Sequence, residues 1–187
     1  TPTKEDLVTF FERAFQKQKE LYPELSDRDL NLGKEKLAAY YDFHKGKFPM
    51  PHAVEKAFTL KVGGHTINGK IDRVDMTHNG YTIVDYKTGK ARSNENADDK
   101  KFAKDSLQLS IYALAAKEFF KWPIDELVLY YIYENSTLSS TRADSALEKT
   151  KDRILSIAEN IQDQKFEALP GRHCQWCEYK RICPAAE

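Results

Sequence analysis

The most constraining feature of this sequence is an Asn79-Gly80 turn with alternating apolar residues on either side. Asn and Gly both tolerate positive φ, so the pattern predicts an antiparallel β-hairpin. A two-residue loop would pair Asp72 with Lys87, and a four-residue loop would pair it with Asp85. In either register the two aspartates and the lysine share one side of the ribbon, within roughly 5 to 8 Å of one another.

The hairpin predicts a place for a divalent cation. Two aspartates this close repel each other, and oxygen ligands at this spacing suit Mg²⁺ or Mn²⁺. A surface hairpin with ordinary charges is the alternative. Ile83 shares the face of Asp85, while Val84 and Ile71 are expected on the opposite face, so we expect a hairpin buried on both sides. A charged group inside such a sheet needs a partner or a metal.

Length and composition favour one domain with a real core, since the chain has 187 residues and 41% hydrophobic content. Lysine plus arginine equals aspartate plus glutamate at 29 each, so net charge gives no nucleic-acid signal. A phosphate-binding surface would have to be local, and a solvated loop is the alternative. The candidate phosphate-binding residues are Lys90, Arg92, Lys100, Lys101 and Lys104.

Targeting signals and the start of the sequence bear on the protein's location and on whether it is part of a longer chain. No apolar stretch approaches the roughly 20 residues that span a bilayer, and no signal peptide is apparent, so we expect a soluble cytoplasmic protein. The chain lacks an initial Met and opens on a helix start, with Thr3 and Asp6 as a capping box, which suggests a domain cut from a longer chain. No Gly-x4-Gly-Lys-Ser/Thr loop occurs, so any motor activity would belong to other sequence.

Hydrophobic periodicity predicts helices, three strands, a helix, a strand and a helix, which indicates an α/β fold with a small mixed sheet flanked by helices. We expect a single domain over 1–187, with a helical lead-in over 1–47, a core over 48–165 and a cysteine-bearing tail over 166–187. The predicted helices cover 4–20, 28–43, 103–120 and 143–163. The predicted strands outside the hairpin cover 54–62 and 127–133, and 90–101 is a predicted mobile loop.

Other polar residues are candidates for the same site. Gln108 and Tyr112 lie four apart in a predicted helix and so share a face, which a packed helix could aim at a phosphate or a metal-bound water. A tyrosine half in the core with a glutamine at its rim is the alternative. Glu55 could approach the aspartates across the sheet as a metal ligand, or it faces solvent. Histidines without a partner at ligand spacing, expected on the surface or in loops, are His44, His52, His65 and His78.

Three cysteines cluster at the end of the chain, and none occurs elsewhere: Cys174, Cys177 and Cys183. Core filling does not explain such clustering, and an odd number argues against a closed set of disulfides. Cys-x2-Cys spacing lets two thiolates bind one metal centre. His173 could complete a zinc site, or a cysteine upstream of the chain could complete an iron–sulfur cluster.

Taken together, these motifs resemble the RecB-type nucleases of the PD-(D/E)XK superfamily, and most of all the nuclease domain at the C-terminal end of UvrD-like helicase–nucleases. The resemblance covers roughly residues 48 to 184 and implies a restriction-endonuclease-like core. The motifs that carry it are, in order, Gly69-Lys-Ile-Asp72-Arg, Ile83-Val-Asp85-Tyr-Lys87-Thr-Gly89, Gln108-x3-Tyr112 and Cys-x2-Cys-x5-Cys.

The resemblance implies hydrolysis of DNA phosphodiester bonds, leaving a 5′-phosphate and a 3′-hydroxyl. Asp72, Asp85 and the backbone carbonyl of Tyr86 would hold Mg²⁺ or Mn²⁺, and Lys87 would orient or deprotonate the attacking water. Gln108 and Tyr112 would position the strand or the lysine, and the basic residues between positions 90 and 104 would face DNA. The three cysteines would be the last ligands of a 4Fe–4S cluster that pins the tail to an upstream segment.

Two departures from the family pattern stand out. The metal-binding His that the family usually carries on an early helix has no match between Thr1 and Tyr41, and the first cluster cysteine is absent. Truncation upstream would explain both. The leading hypothesis is a metal-dependent DNA exonuclease domain of a helicase–nuclease acting in recombination and repair. The alternatives are a catalytically silent DNA-binding or scaffolding module and a zinc-stabilised interaction domain.

Overall fold

The structure is a computed structural model that describes residues 2–45, 48–89 and 97–185. It has the α/β architecture predicted from the sequence. The helices are α1 (Lys4–Leu21), α2 (Asp27–His44), α3 (Ala97–Asp105), α4 (Leu107–Leu114), which continues as π-helical turns over Ala115–Phe120, and α5 (Asp144–Gln162). The strands are β1 (Pro51–Val62), β2 (His65–Met76), β3 (Tyr81–Lys87), β4 (Ile124–Tyr131) and β5 (Ser136–Ser140). Short 3-10 turns cover Arg172–Trp176 and Glu178–Arg181.

The five strands form one sheet in the order β1-β2-β3-β4-β5. Neighbouring strands are antiparallel except β3 and β4, which run parallel. A parallel pair needs a crossover connection, and here it contains α3 and α4. This connection brings α4 back over the sheet.

The register of the central hairpin is one of the two that the sequence predicts. The β2–β3 ladder closes at Met76 and Tyr81, so the loop has four residues. One step beyond the far end of the ladder, the same register places Asp72 opposite Asp85.

Gly80 closes this loop because a larger residue does not fit. Its φ is +152°, and a Cβ added there would lie 2.3 Å from the carbonyl oxygen of Pro123. The next amide, of Tyr81, donates to that same carbonyl at 2.9 Å. The turn is therefore pressed against the start of β4, which holds the hairpin beside its parallel neighbour.

The face predicted for Ile71 was wrong. Ile71 packs in the same core cluster as Val74 and Ile83, although strict alternation would put residues three apart on opposite faces. The alternation is interrupted between them. The partner strand β1 is irregular in the same region, since Glu55 has a φ of +48°, in the left-handed region, and the register shifts between Pro51 and Ala53.

Both faces of the sheet are covered, as the sequence predicts for the hairpin. Ile83 belongs to the main core, which fills the space between the sheet and helices α4 and α5. Val84 belongs to a smaller cluster on the other face, where Tyr40 of α2 packs against Tyr130 of β4. Further members of the main core are Phe58, Leu60, Leu109, Leu114, Leu127, Leu129 and Ile154.

The connection between β3 and β4 differs from the prediction. Residues 97–101, predicted as part of a mobile loop, belong to α3, and the single helix predicted over 103–120 is interrupted at Ser106. The Ser106 hydroxyl accepts the Leu109 amide at 3.3 Å and so begins a new helix. Residues 90–96 lie outside the described part of the chain. Strand β5 was not predicted at all.

The two N-terminal helices follow the sequence closely. Thr3 and Asp6 form the predicted capping box of α1, and Ser26 and Asp29 form a second one at the start of α2. No helix within the described residues is long and apolar enough to cross a membrane.

Candidate active site

The two hairpin aspartates lie side by side at the end of β3. Asp85 is 1% exposed, whereas Asp72 is half-buried. Asp72 Oδ2 accepts the backbone amide of Tyr86 at 2.9 Å, so this carboxylate is tied to the neighbouring strand. The prediction that the hairpin would bring these aspartates together is thus met by the strand register.

Lys87 links the aspartates to helix α4. Its Nζ lies 2.5 Å from Asp85 Oδ2 and donates to Gln108 Oε1 at 2.7 Å. Gln108 Nε2 in turn donates to the Tyr112 hydroxyl at 3.0 Å. Gln108 and Tyr112 therefore share one face of α4, as their spacing predicts, and that face is turned to the hairpin.

The core fixes the position of this helix face. Leu109 and Ala113, which directly follow the two polar residues in the sequence, are buried in the main core. A helix held by these side chains cannot rotate without exposing them to water. The amide of Gln108 and the hydroxyl of Tyr112 are consequently held over the end of β3.

Burial dominates the electrostatics of Asp85. It raises the pKa of this carboxyl above its ordinary value, with the nearby charge of Asp72 acting in the same direction and Lys87 opposing it. Burial also raises the pKa of the Tyr112 hydroxyl. This hydroxyl is therefore protonated at neutral pH and can donate a hydrogen bond to the Asp85 carboxylate.

One oxygen of this site is held by an ion pair. Asp85 Oδ2 is buried, and Lys87 Nζ lies 2.5 Å from it without the geometry of a hydrogen bond. Burial still disfavours the ionised form of this carboxyl, even with the lysine beside it. Two neighbouring carboxylates, one of them buried, fit a hard divalent cation. The donors that fit are Asp72, Asp85 and the predicted backbone carbonyl of Tyr86.

Side chains alone do not complete such a site. Within the described residues, no group of three or more His, Cys, Asp or Glu side chains is arranged to hold a metal ion. Glu55, the fourth predicted ligand, is exposed, and its carboxylate lies 3.4 Å from Lys70 Nζ. Its role as a ligand stays a prediction.

The predicted basic segment divides into two parts. Lys90 and Arg92 lie outside the described residues. Lys100, Lys101 and Lys104 are exposed on α3. This helix precedes α4 directly, so the three lysines lie near the N-terminal end of the helix that carries Gln108.

The cysteine tail lies apart from the hairpin in sequence, and as far as residue 185, where the described part ends, it shows no assembled metal centre. Cys174, Cys177 and Cys183 are free thiols, and the Sγ of Cys174 accepts the Gly171 amide at 3.3 Å. Trp176, between the first two cysteines, is 76% exposed. Neither the zinc site nor the 4Fe–4S cluster finds support in this arrangement, and both stay predictions.

A cluster behind the hairpin was missed by the sequence analysis. Arg73 donates to both carboxylate oxygens of Asp75, at 2.8 and 2.5 Å, and to the Tyr86 hydroxyl at 3.0 Å. Residues two apart on a strand share a face, which was the available signal. The cluster ties β2 to β3 on the face opposite the aspartates and so stiffens the hairpin.

His44 was expected at the surface or in a loop, and this was wrong, because it is half-buried at the end of α2. Its Nε2 lies 3.0 Å from the Tyr130 hydroxyl, and its ring packs between Phe48 and Tyr40. Burial lowers the pKa of this imidazole below its ordinary value. The contact closes α2 onto the back of the sheet.

Comparison with known proteins identifies a family and finds two solved structures. The family model of the PD-(D/E)XK nuclease superfamily matches residues 2–184. A solved structure of a candidate exonuclease from Eubacterium rectale is 14% identical, with a TM-score of 0.53 over 97% of this chain and 74% of that one. The solved structure of SSO0001 is 21% identical, with a TM-score of 0.49 over 98% and 85%. No curated protein matches.

Proposed function

The chain belongs to the PD-(D/E)XK nuclease superfamily, and on that premise we propose that it is a divalent-metal-dependent deoxyribonuclease domain. The observation that carries the proposal is the buried Asp85 carboxylate, which lies beside a second carboxylate and is paired with Lys87. Fold stability gives no reason for such an arrangement, because the desolvation cost of a buried ion pair can exceed its Coulombic gain.

The side chains of the site divide the work of phosphodiester hydrolysis. Lys87 is held by Asp85 and Gln108, so its ammonium group has one fixed position from which it can orient the attacking water or stabilise negative charge on the phosphate. Gln108 is itself held by Tyr112. A group held in advance pays no reorganisation cost when charge develops in the transition state.

The aspartates supply the remaining oxygen donors. Bound by Asp72, Asp85 and the backbone carbonyl of Tyr86, Mg²⁺ or Mn²⁺ would lower the pKa of water and neutralise phosphate charge. Asp72 keeps one orientation because it accepts the Tyr86 amide, which preserves the spacing between the two carboxylates.

The wider assignment rests on the resemblance of the motifs. We propose that the domain acts as an exonuclease within a helicase–nuclease of recombination and DNA repair, attacks in line and leaves a 5′-phosphate. The similar fold of a candidate exonuclease agrees with the nuclease assignment. The helicase motor would be a partner in the same polypeptide or complex.

The decisive experiment is degradation of end-labelled single- and double-stranded DNA in Mg²⁺, Mn²⁺ or EDTA. We expect cleavage in both metals, none in EDTA, and loss by at least about 100-fold in Asp85→Ala and Lys87→Ala, since each removes a group of the reacting centre. Lys61→Ala is the control, because Lys61 is an exposed lysine at the far end of β1.

The outcomes separate three functions. Cleavage that survives both site variants would place the nuclease elsewhere or in a contaminant. A folded protein that binds DNA but does not cleave it in either metal would be a binding module, or would need the family's upstream His helix; adding that helix back decides between these. Zinc content without DNA binding would favour an interaction domain.

A further inference from the structure

A second charged surface lies on a different side of helix α4 from the candidate active site. It is an open groove of about 450 Å³ between α3, the start of α4 and α5. Its walls carry Lys104 from α3 and Lys149 and Arg153 from α5. Nothing in the catalytic arrangement of the hairpin uses these residues.

The three cations on the walls are not neutralised. All three are exposed, and none of them forms a hydrogen bond or an ion pair with another residue of the described chain. Lys151, on the same helix as Lys149 and Arg153, behaves differently, because it pairs with both Glu118 and Glu148. Asp105 is the one carboxylate among the described residues that line the groove.

A fourth cation forms part of the floor and is fixed. Arg142 donates through Nε to Ser110 Oγ at 2.7 Å and through Nη2 to the Ala103 carbonyl at 2.6 Å. It also donates to Ser140 Oγ at 3.0 Å and to the carbonyls of Thr141 and Ser106 at 3.0 and 3.3 Å. All five N–H donors of the guanidinium thus have acceptors, and the charge stays in place beneath the groove.

Four cations facing one carboxylate point to an anionic ligand. Like charges that converge repel one another, and an extended anion relieves the repulsion. We propose that this groove binds the phosphodiester backbone of the DNA strand at a distance from the bond being cleaved. The inference rests on the proposed function, because it takes the polyanion to be that function's own substrate.

The course of α4 connects the two surfaces. Gln108 faces the hairpin, whereas its neighbour Leu107 and Ser110 line the groove. A strand leaving the active site can therefore pass the N-terminal end of α4 and reach Lys104 before it meets Lys149 and Arg153. Exposed lysines and arginines suit this contact, because backbone phosphates are recognised by charge and not by base sequence.

Two exposed pairs with the same spacing allow a matched test. Lys149→Gln/Arg153→Gln removes an i, i+4 pair from α5, and Arg13→Gln/Lys17→Gln removes an exposed i, i+4 pair from α1. Binding of a labelled single-stranded oligonucleotide is measured in EDTA at several salt concentrations. We expect the α5 variant to lower the magnitude of the slope of log Kobs against log[salt] by about 1 to 1.5, or about 0.7 per lost phosphate contact, and the α1 variant to leave it unchanged.

Cleavage gives an independent readout. For a long oligonucleotide in Mg²⁺, the α5 variant should raise KM about tenfold or more and leave kcat unchanged, whereas hydrolysis of a small chromogenic phosphodiester should not change. Lys104→Gln, on another element, should lower the salt slope by about 0.7. Circular dichroism and thermal melting check that each variant is folded.

The two proposals fail in different ways. If the α5 and Lys104 variants keep the wild-type salt slope, the groove does not bind DNA, whatever the cleavage result. If the wild-type protein does not bind the oligonucleotide and instead binds an acidic peptide through these residues, the inference is also overturned. If the slope falls as expected and no DNA is cleaved, the groove inference holds and only the nuclease assignment fails.

Discussion

At the scale of a single residue, Asp85 is unfavourable for folding and favourable for binding a cation. Its carboxylate is buried beside Lys87, and the burial that raises its pKa disfavours the folded state at neutral pH. The same carboxylate is the donor that a divalent cation needs. We therefore expect substitutions of Asp85 to raise the stability of the metal-free fold and to weaken cation binding, and both effects can be measured.

We expect Asp85→Asn to stabilise the metal-free protein at pH 7, by about 1 kcal/mol of unfolding free energy, because an amide removes the buried charge. Lys87, which loses its ion pair, is partly exposed and remains solvated. Urea unfolding in EDTA measures the change. An equal loss of stability in Asp85→Asn and Asp85→Ala would contradict it, since it would show that the carboxylate supports the fold.

The pH dependence follows from the raised pKa of Asp85. An acid with a higher pKa in the folded than in the unfolded protein destabilises the fold above its folded pKa, and this penalty vanishes as the pH falls towards the unfolded value near 3.8. The stabilising effect of Asp85→Asn should therefore shrink between pH 7 and pH 4. Urea unfolding of both proteins across this range tests the sign.

Gln108 provides a second prediction, for catalysis. It accepts from Lys87 and donates to Tyr112, so Gln108→Ala should release the lysine without removing it. We expect kcat to fall about tenfold, equivalent to about 1.4 kcal/mol, with KM unchanged. Gln16→Ala, at an exposed position of α1, is the control. A raised KM with normal kcat would mean that Gln108 binds substrate instead.

The juxtaposition of Asp72, Asp85 and Lys87 could be predicted because it does not depend on the loop length. The two possible registers differ by two positions, and a strand repeats its faces every two residues. The sequence does not distinguish the two registers, because both place the same residues on the same face of the hairpin.

At the scale of elements, the hairpin is held in place by its turn. Gly80 has positive φ and approaches Pro123 so closely that a Cβ would lie 2.3 Å from the carbonyl oxygen. The turn therefore needs glycine for two independent reasons. Displacing it would shift β3, which carries Asp85 and Lys87, relative to β4.

We expect Gly80→Ala to lower the unfolding free energy by about 2 kcal/mol or more, because it combines an unfavourable φ with a clash against backbone. Gly64→Ala is the matched control, since a Cβ there meets no atom within 4 Å. Urea unfolding compares the two. A loss of similar size in both variants would contradict this account, because Gly64 has neither a positive φ nor a close neighbour.

Element boundaries were least predictable where tertiary contacts decide them. Strand β5 has only five residues and little apolar alternation, and it exists because β4 offers a free edge. The division between α3 and α4 depends on Ser106, whose capping role competes with continuing the helix. The break in alternation between Ile71 and Val74 accompanies an irregular pairing with β1, which periodicity within one strand cannot show.

At the scale of the whole molecule, two layers of helices enclose the sheet. Helices α4 and α5 cover the face with the larger core, and α2 covers the other through Tyr40 and His44. Amphipathic periodicity predicted these helices, but it does not state which face each one covers. Because both faces are closed, the aspartates are reached from the end of β3, where α4 leaves its polar face.

Cation binding should consequently raise the unfolding free energy of the entire domain. A ligand that binds only the folded state raises the unfolding free energy by RT ln(1 + [L]/Kd), or about 2.7 kcal/mol at 100 times Kd. We expect Mg²⁺ or Mn²⁺ to raise the Tm of the wild type in a concentration-dependent way and to leave Asp85→Asn unchanged. Differential scanning calorimetry over a metal titration makes the measurement, with Ca²⁺ as a comparison of ionic size and NaCl at equal ionic strength as the control. Lowering the pH towards the pKa of Asp85 should weaken the effect, because protons compete with the metal for the carboxylate. An equal rise in both proteins would place the cation elsewhere and remove Asp85 from its ligands.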